Sequence, residues 1–369
     1  MKDLLNSVPA ITLMGPGPSC VPPEVYEALS VSTLGHLDPY FIQIMDAIKE
    51  RLRTVFGTVN ELTIPMSGTG SAGMETCFVN LVEPGDSVLV CVNGVFGTRM
   101  VDVAGRLGAE VESLEFEWGT PVVPERVGEA MKRKRYDLVA VVHAETSTGV
   151  RNPVDEIGKI VAEHDTLYLV DTVTSLGGME VAVDSWGADA VYAGTQKCLS
   201  CPPGLAPVTF SPDAVEKLEA RKSKVPNWYL DLSMIMGYWE GNRRSYHHTA
   251  PINMLYGLYR ALGLVLNEGL DAVFTRHLET HRLLVRQLDE LGLPLYVEPE
   301  YRLPMLNAVT CPHGIDESAV RARLLSEFMI EIGAGLGPLA GKIWRIGLMG
   351  HTARPENVEK LTEALRKCL

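Results

Sequence analysis

The chain has 369 residues, 46% of them hydrophobic and 21% charged, which excludes a disordered tail, a collagen-like rod and a simple coiled coil. Its 33 lysines and arginines face 46 aspartates and glutamates, a formal net charge of −13 that repels nucleic acid and anionic membranes. Any anionic substrate therefore requires a positive site built locally.

The first twenty residues hold Pro9, Gly15, Pro16, Gly17 and Pro18, with no basic segment leading into an apolar stretch. We expect a loop or arm there, neither a secretory leader nor a core element. From about residue 60 to 210 apolar runs at 62–66, 87–92, 111–116, 138–143, 167–170, 190–193 and 205–210 read as strands. Most lack strict alternation, as strands buried on both faces should. Helix-length segments such as 73–81, 95–107 and 154–164 lie between them. This alternation predicts an α/β fold with a doubly wound, mostly parallel sheet of seven strands. After residue 255 long helical patterns at 256–267 and 270–291 take over, and a closing helix is expected at 355–367. The expected organisation is an N-terminal arm (1–22), a large domain (23–255) and a small C-terminal α+β domain (256–369). No run reaches the roughly 18 apolar residues of a membrane-spanning helix. The seven cysteines, an odd number scattered from Cys20 to Cys368, predict reduced thiols in a cytoplasmic protein. Cys198 and Cys201 lack the second pair that a zinc site needs, so no metal is expected.

Three features at predicted strand ends carry chemistry. Ser67-Gly68-Thr69-Gly70-Ser71-Ala72-Gly73 follows a strand and opens a helix, a place where backbone N–H groups and the helix N-terminus hold an anion. The hydroxyls of Ser67, Thr69 and Ser71 are further donors. The same glycines spell a G-x-G-x-x-G, but the next strand ends in Asn93 where a dinucleotide site needs an acidic residue, which weighs against an NAD-linked oxidoreductase. Asp171 closes the 167–170 strand, and Lys197 follows the 190–193 strand. Taken singly, Asp171 reads equally as a helix cap and Lys197 as a solvated loop residue. Together with the phosphate loop they supply what a pyridoxal phosphate enzyme needs: an amine for the Schiff base, a carboxylate for the pyridine nitrogen and an anion cradle.

The order of motifs is then recognisable: Gly15-Pro16-Gly17-Pro18-Ser19, Ser67–Gly70, Glu145-Thr146-Ser147-Thr148-Gly149, Val170-Asp171 with Ser175-Leu176-Gly177-Gly178, Gln196-Lys197 with Pro202-Pro203-Gly204, Tyr246-His247-His248-Thr249, and Arg345-Ile346-Gly347. In these the chain resembles the class V aminotransferases, fold-type I pyridoxal phosphate enzymes, and within them the alanine–glyoxylate (serine–pyruvate) branch. The resemblance implies that Lys197 joins the cofactor and carries the proton, and that Asp171 pairs with the ring nitrogen. It places Thr146 on the ring's 3-hydroxyl, Phe96 on the ring face where relatives often carry Trp, and Thr69, Gly70, Ser71 and Gln196 around the phosphate. Ser71 stands where relatives have His. Tyr246 and Thr249 would reach the phosphate of a neighbouring subunit, which implies a homodimer with shared active sites. His247 and His248 receive no ligand role, since adjacent residues seldom point the same way.

Arg345 would clamp the substrate carboxylate, with Gly17 and Gly335-Leu336-Gly337 as close walls. The implied reaction moves the amino group of alanine, or serine, to glyoxylate, with small amino acids and 2-oxo acids as the only partners. Ureidoglycine–glyoxylate and serine–glyoxylate transamination are the nearest alternatives. A lyase such as a cysteine desulfurase would need a nucleophilic cysteine, for which Cys311 and Cys368 are the candidates.

Overall fold

The structure, a computed structural model, describes residues 4–241 and 244–369; the first three residues of the expected arm lie outside that range. The described chain leads through a short strand, β1 (Thr12–Leu13), to two helices that begin on proline, α1 (Pro23–Leu29) and α2 (Pro39–Phe56). Proline suits a first helical turn because its missing N–H has no partner there in any case. Asp38 caps α2 by accepting from the Tyr40 amide. Strands and helices then alternate: β2 (Leu62–Ser67), α3 (Gly70–Leu81), β3 (Ser87–Val92), α4 (Val95–Arg106), β4 (Glu110–Glu115), α5 (Pro124–Arg133) and β5 (Leu138–Val142). A small ribbon, β6 (Ala144–Glu145) with β7 (Val150–Arg151), leads into α6 (Val154–Val161), β8 (Leu167–Asp171), α7 (Val183–Trp186), β9 (Ala190–Tyr192), β10 (Leu205–Phe210) and α8 (Pro212–Glu219).

Seven strands form one sheet in the order β2-β10-β9-β8-β5-β3-β4, and β10 alone runs against its neighbours. This is the mostly parallel sheet that the sequence predicts. Strands β3 and β5 are buried along their whole length, whereas the edge strand β4 exposes Glu110 and Glu115. Charged side chains on an edge discourage pairing with another chain. Because the parallel strands share one direction, the segments after β2, β3, β5, β8 and β9 emerge together along one side of the sheet, where α/β proteins bind ligands.

Beyond α9 (Leu232–Trp239), the long helices α10 (Ile252–Glu268) and α11 (Leu270–Glu290) lead to a second, smaller unit. It contains β11 (Leu306–Thr310), α12 (Glu317–Phe328), β12 (Ile330–Glu331), β13 (Gly333–Ala334), β14 (Ile343–Gly347) and α13 (Pro355–Cys368). Strands β11, β14 and β13 form an antiparallel sheet, and its apolar cluster includes Leu284, Leu324, Trp344 and Leu361. Helix α10 contributes Leu258, Ala261, Leu262 and Val265 to the larger cluster around the main sheet, so the packing does not break at residue 255. Among the described residues no helix is long and apolar enough to cross a membrane.

One expectation is corrected here. The Pro/Gly-rich start is part of a core: Met14 is fully buried in the C-terminal cluster. Its amide donates to the Glu331 carbonyl (2.8 Å), and its own carbonyl accepts from the Gly347 amide (2.7 Å). A short extended segment can bury its backbone in this way because β12 and β14 supply the partners it lacks.

Candidate active site

Asp171 is the last residue of β8, and Tyr192, the last of β9, stands opposite it in the parallel register. The Tyr192 hydroxyl donates to Asp171 Oδ2 (2.6 Å), and the Val173 amide donates to Oδ1 (2.7 Å). These bonds fix the carboxylate plane. Burial still dominates and pushes its pKa from 3.8 up to about 7, which marks a carboxylate built to meet a cation.

Lys197 sits in the loop after β9, 8% exposed. Burial lowers its pKa from 10.5 to about 8, and its Nζ donates to the Pro16 carbonyl. The arm is fastened over this loop by Ser19, whose amide donates to the Gln196 carbonyl (2.9 Å) and whose hydroxyl donates to the Lys197 carbonyl (2.7 Å). At Gly17, φ is +113° and an added Cβ would stand 2.8 Å from Lys197 Nζ, so only glycine lets the arm pass there.

Between these groups lies a cavity of about 200 Å³ bounded by Thr69, Gly70, Ser71, Phe96, Asp171, Gln196 and Lys197. Gly68, at φ +149°, makes the turn from β2 into α3. No side chain caps the first turn of α3, and Gly70 and Ser71 open that turn onto the cavity. A helix of 12 residues with its leading N–H groups facing a cavity offers an anion site. Gln196 carries a buried Oε1 with no hydrogen-bond partner among the described residues. An amide can present either its oxygen or its NH2 at that corner, so Gln196 is free to donate to an anion.

The residues therefore fit pyridoxal phosphate. The helix terminus and Gln196 can hold its phosphate, Phe96 can cover its ring, Asp171 can meet its nitrogen, and Lys197 can take its aldehyde carbon. Arg99 also bounds the cavity, and its guanidinium lies 4.9 Å over the Phe96 ring.

Arg345 lies on β14 and is nearly buried, and burial lowers its pKa from 12.5 to about 10, so it stays cationic at neutral pH. Its Nε donates to the Ala334 carbonyl (2.7 Å) and its Nη1 to the Thr146 carbonyl (3.3 Å). Thr146 does not bound the cavity; its hydroxyl is paired with that of Thr174 at 2.5 Å. Tyr246 and Thr249 are exposed, their hydroxyls 3.4 Å apart, and they do not bound the cavity of their own chain. His247 and His248 meet each other, with their Nδ1 atoms 2.8 Å apart and their rings at 89°.

Two contributors escape the sequence reading. Tyr192 lies inside the 190–193 run, where sequence pattern assigns it no role. Glu145 belongs to a quoted motif in which Thr146 alone received a role. It is wholly buried, and its Oε1 accepts from the Ser147 amide (3.0 Å) and hydroxyl (2.6 Å). Its Oε2 accepts from the Phe96 amide (3.2 Å), which holds the first turn of α4 and hence the Phe96 ring. Burial raises its pKa against those bonds.

Cys311 and Cys368 pack against the C-terminal cluster and do not bound the cavity. The model of the family described as "Aminotransferase class-V" matches residues 18–361. An alanine–glyoxylate aminotransferase of Callithrix jacchus is 41% identical, over 100% of this chain and 90% of that protein. An (S)-ureidoglycine–glyoxylate transaminase of Bacillus subtilis is also 41% identical, over 95% of this chain and 88% of its own length. The crystal structure of an alanine–glyoxylate aminotransferase from Nostoc sp. superposes with a TM-score of 0.96 at 50% identity, covering 98% of this chain and 96% of that one.

Proposed function

The chain belongs to the class V aminotransferase family and is a pyridoxal phosphate-dependent transaminase; from that premise we propose that it moves the amino group of alanine, or serine, to glyoxylate, giving glycine and pyruvate or hydroxypyruvate. The observation that carries this reading is Arg345, a buried cation whose Nε and Nη1 are tied to the carbonyls of Ala334 and Thr146. Arg345 does not bound the cavity itself but lies close enough to Lys197 to act on its charge, and its Nη2 is left to meet one substrate carboxylate. Relatives named for glyoxylate at about 41% identity support the acceptor.

When bound, pyridoxal phosphate supplies the carbon that takes the amino group and the ring that spreads the charge left at the substrate's α-carbon. Lys197 is the group for proton transfer: with its pKa drawn down to about 8, a sizeable fraction is a neutral base at physiological pH. Asp171, held by Tyr192 and Val173, keeps a proton on the ring nitrogen opposite. Phe96 excludes water from one ring face, and the α3 terminus with Thr69, Gly70, Ser71 and Gln196 anchors the phosphate. For Thr146 to serve the ring's 3-hydroxyl, its own hydroxyl must turn from Thr174 toward the cavity.

Tyr246 and Thr249 serve the partner's phosphate in a homodimer. Support comes from the exposure of Tyr246 and Thr249 themselves and from the exposed Trp228 and Tyr229, whose rings lie against His247 and His248 between them. The free state of all seven cysteines supports a cytoplasmic setting. In this reading the main sheet carries the cofactor and the C-terminal unit with β14 clamps the substrate, while α10 packs on the main sheet across the expected boundary at residue 255.

The test is the first half-reaction. Alanine should bleach the visible cofactor band and glyoxylate should restore it, while glutamate with 2-oxoglutarate should be slow. Because Arg99 brings a second cation to the cavity, glutamate turning over faster than alanine would overturn the reading. The Bacillus relative makes (S)-ureidoglycine the second donor to try.

A further inference from the structure

Polar groups of four residues form a line beside the anion loop. The Nε2 of His247 lies 3.3 Å from the Trp228 carbonyl, the two Nδ1 atoms of His247 and His248 are 2.8 Å apart, and His248 Nε2 lies 2.8 Å from Ser67 Oγ. A carbonyl can only accept, so His247 must carry its proton on Nε2. A neutral His247 then has a bare Nδ1, which accepts from His248, and His248 must carry its proton on Nδ1. The Nε2 of His248 is left bare and accepts the proton of Ser67. With both rings neutral, one backbone carbonyl thus sets the direction of every bond in the line.

We propose that His247 and His248 are positioning residues, a proton-ordered relay that ties Ser67 of the anion loop to the segment carrying Tyr246 and Thr249. Burial, the larger cause, depresses the pKa of His248 and favours its uncharged ring. Trp228 stacks on His247 with ring centres 4.4 Å apart, and Tyr229 and Tyr238 flank His248 at 5.1 and 5.9 Å, so neither ring is free to turn.

Two consequences follow. The sequence makes Ser67 a donor to the anion, but its only proton is committed to His248. The loop's donors are therefore the α3 amides and the hydroxyls of Thr69 and Ser71. In addition, Tyr246 and Thr249, immediately before and after the histidine pair, have their backbone placed by the loop of their own chain. This rests on the reading of residues 67–71 as the phosphate loop. If Tyr246 and Thr249 serve a neighbour, each subunit's loop helps to place the residues that complete the other site.

The relay is tested first on cofactor-free protein labelled with 15N-histidine. Ring nitrogen shifts should show His247 protonated at Nε2 and His248 protonated at Nδ1, the rarer tautomer. A proton on Nε2 of His248, in a neutral or a charged ring, overturns the relay. The second measurement is the dissociation constant for pyridoxal phosphate, by fluorescence titration. Ser67→Ala and His248→Ala should each weaken it roughly tenfold, and the double variant should be no weaker than either alone. Multiplying effects overturn the positioning role. Thr69→Val separates the two readings: indifference of the dissociation constant to all three positions overturns the phosphate reading together with the positioning role. A Thr69 effect beside the wrong His248 tautomer overturns the relay alone.

Discussion

Gly17→Ala isolates the contact between the arm and the lysine. At φ +113° an alanine is strained by about 1–3 kcal/mol. Its Cβ would also meet Lys197 at 2.8 Å from Nζ and 2.9 Å from Cδ. Ordinary carbon contacts begin near 3.5 Å, so the side chain must retreat by roughly 0.7 Å. That retreat takes the amine off the Pro16 carbonyl and out of line with the cavity. Misplacement on that scale costs a proton-transfer group about 10- to 100-fold in rate. Gly85→Ala is the control: its φ is +89°, and nothing lies within 4 Å of its Cβ. Both variants should lose a few degrees in Tm, and only Gly17→Ala should lose kcat in the alanine–glyoxylate assay and shift the cofactor absorbance. Equal thermal losses with kcat intact in both would refute the placement of Lys197 against the arm.

Three other outcomes are expected. Arg345→Lys keeps the charge but loses the planar fork, so KM for alanine should rise about 10- to 100-fold in initial-rate measurements with kcat less affected. For Asp171, burial raises the folded pKa from 3.8 to about 7, so the folded chain holds this proton more tightly than the unfolded one. The group is harmless below about pH 4 and costs stability progressively as pH rises toward 7, by roughly 2–4 kcal/mol. Cofactor-free Asp171→Asn should therefore resist urea better than the parent at pH 8 but not at pH 4, while kcat falls about 1,000-fold. Lys197 is protonated below about pH 8, so stopped-flow capture of pyridoxal phosphate by the cofactor-free protein should accelerate with pH and level off above 8. A rate still climbing toward 10.5 would mean an exposed amine.

The parts of the fold written in local pattern were legible. The seven apolar runs match the seven strands of the main sheet; six of them are largely buried and need little else to declare themselves, and the edge strand β4 shows through Val111 and Leu114, with Phe116 just beyond it. Asp171 and Lys197 were readable because residues just past such strands must sit at the ligand edge. Helix α2 is legible too: Phe41, Met45, Ile48, Leu52 and Val55 repeat at helical spacing behind the Asp38-Pro39 start. Met14 was not readable: a lone apolar residue among prolines and glycines carries no period, and its burial depends on β12 and β14 more than 300 residues away. The same holds for Tyr192 and Glu145. Their importance lies in whom they touch across the sheet, which spacing along the chain does not encode.

The electrostatics of the site make the same point with charge. A total of −13 would argue against binding a phosphate and a carboxylate if charge acted as a sum. Within the site two acids, Asp171 and Glu145, stand with two bases, Lys197 and Arg345, and burial works against the charged form of all four. Such a set is close to balanced and gains by admitting ligands of matching sign: a cationic ring nitrogen for Asp171 and a carboxylate for Arg345. The phosphate is then left to the α3 terminus, whose partial positive charge comes from backbone dipoles and enters no residue count. Removing that contribution without changing formal charge, by Gly70→Pro, should weaken pyridoxal phosphate binding, because the missing amide and the ring in the anion's path act together. Unchanged binding in that variant would move the phosphate off the helix terminus and onto side chains such as Arg99.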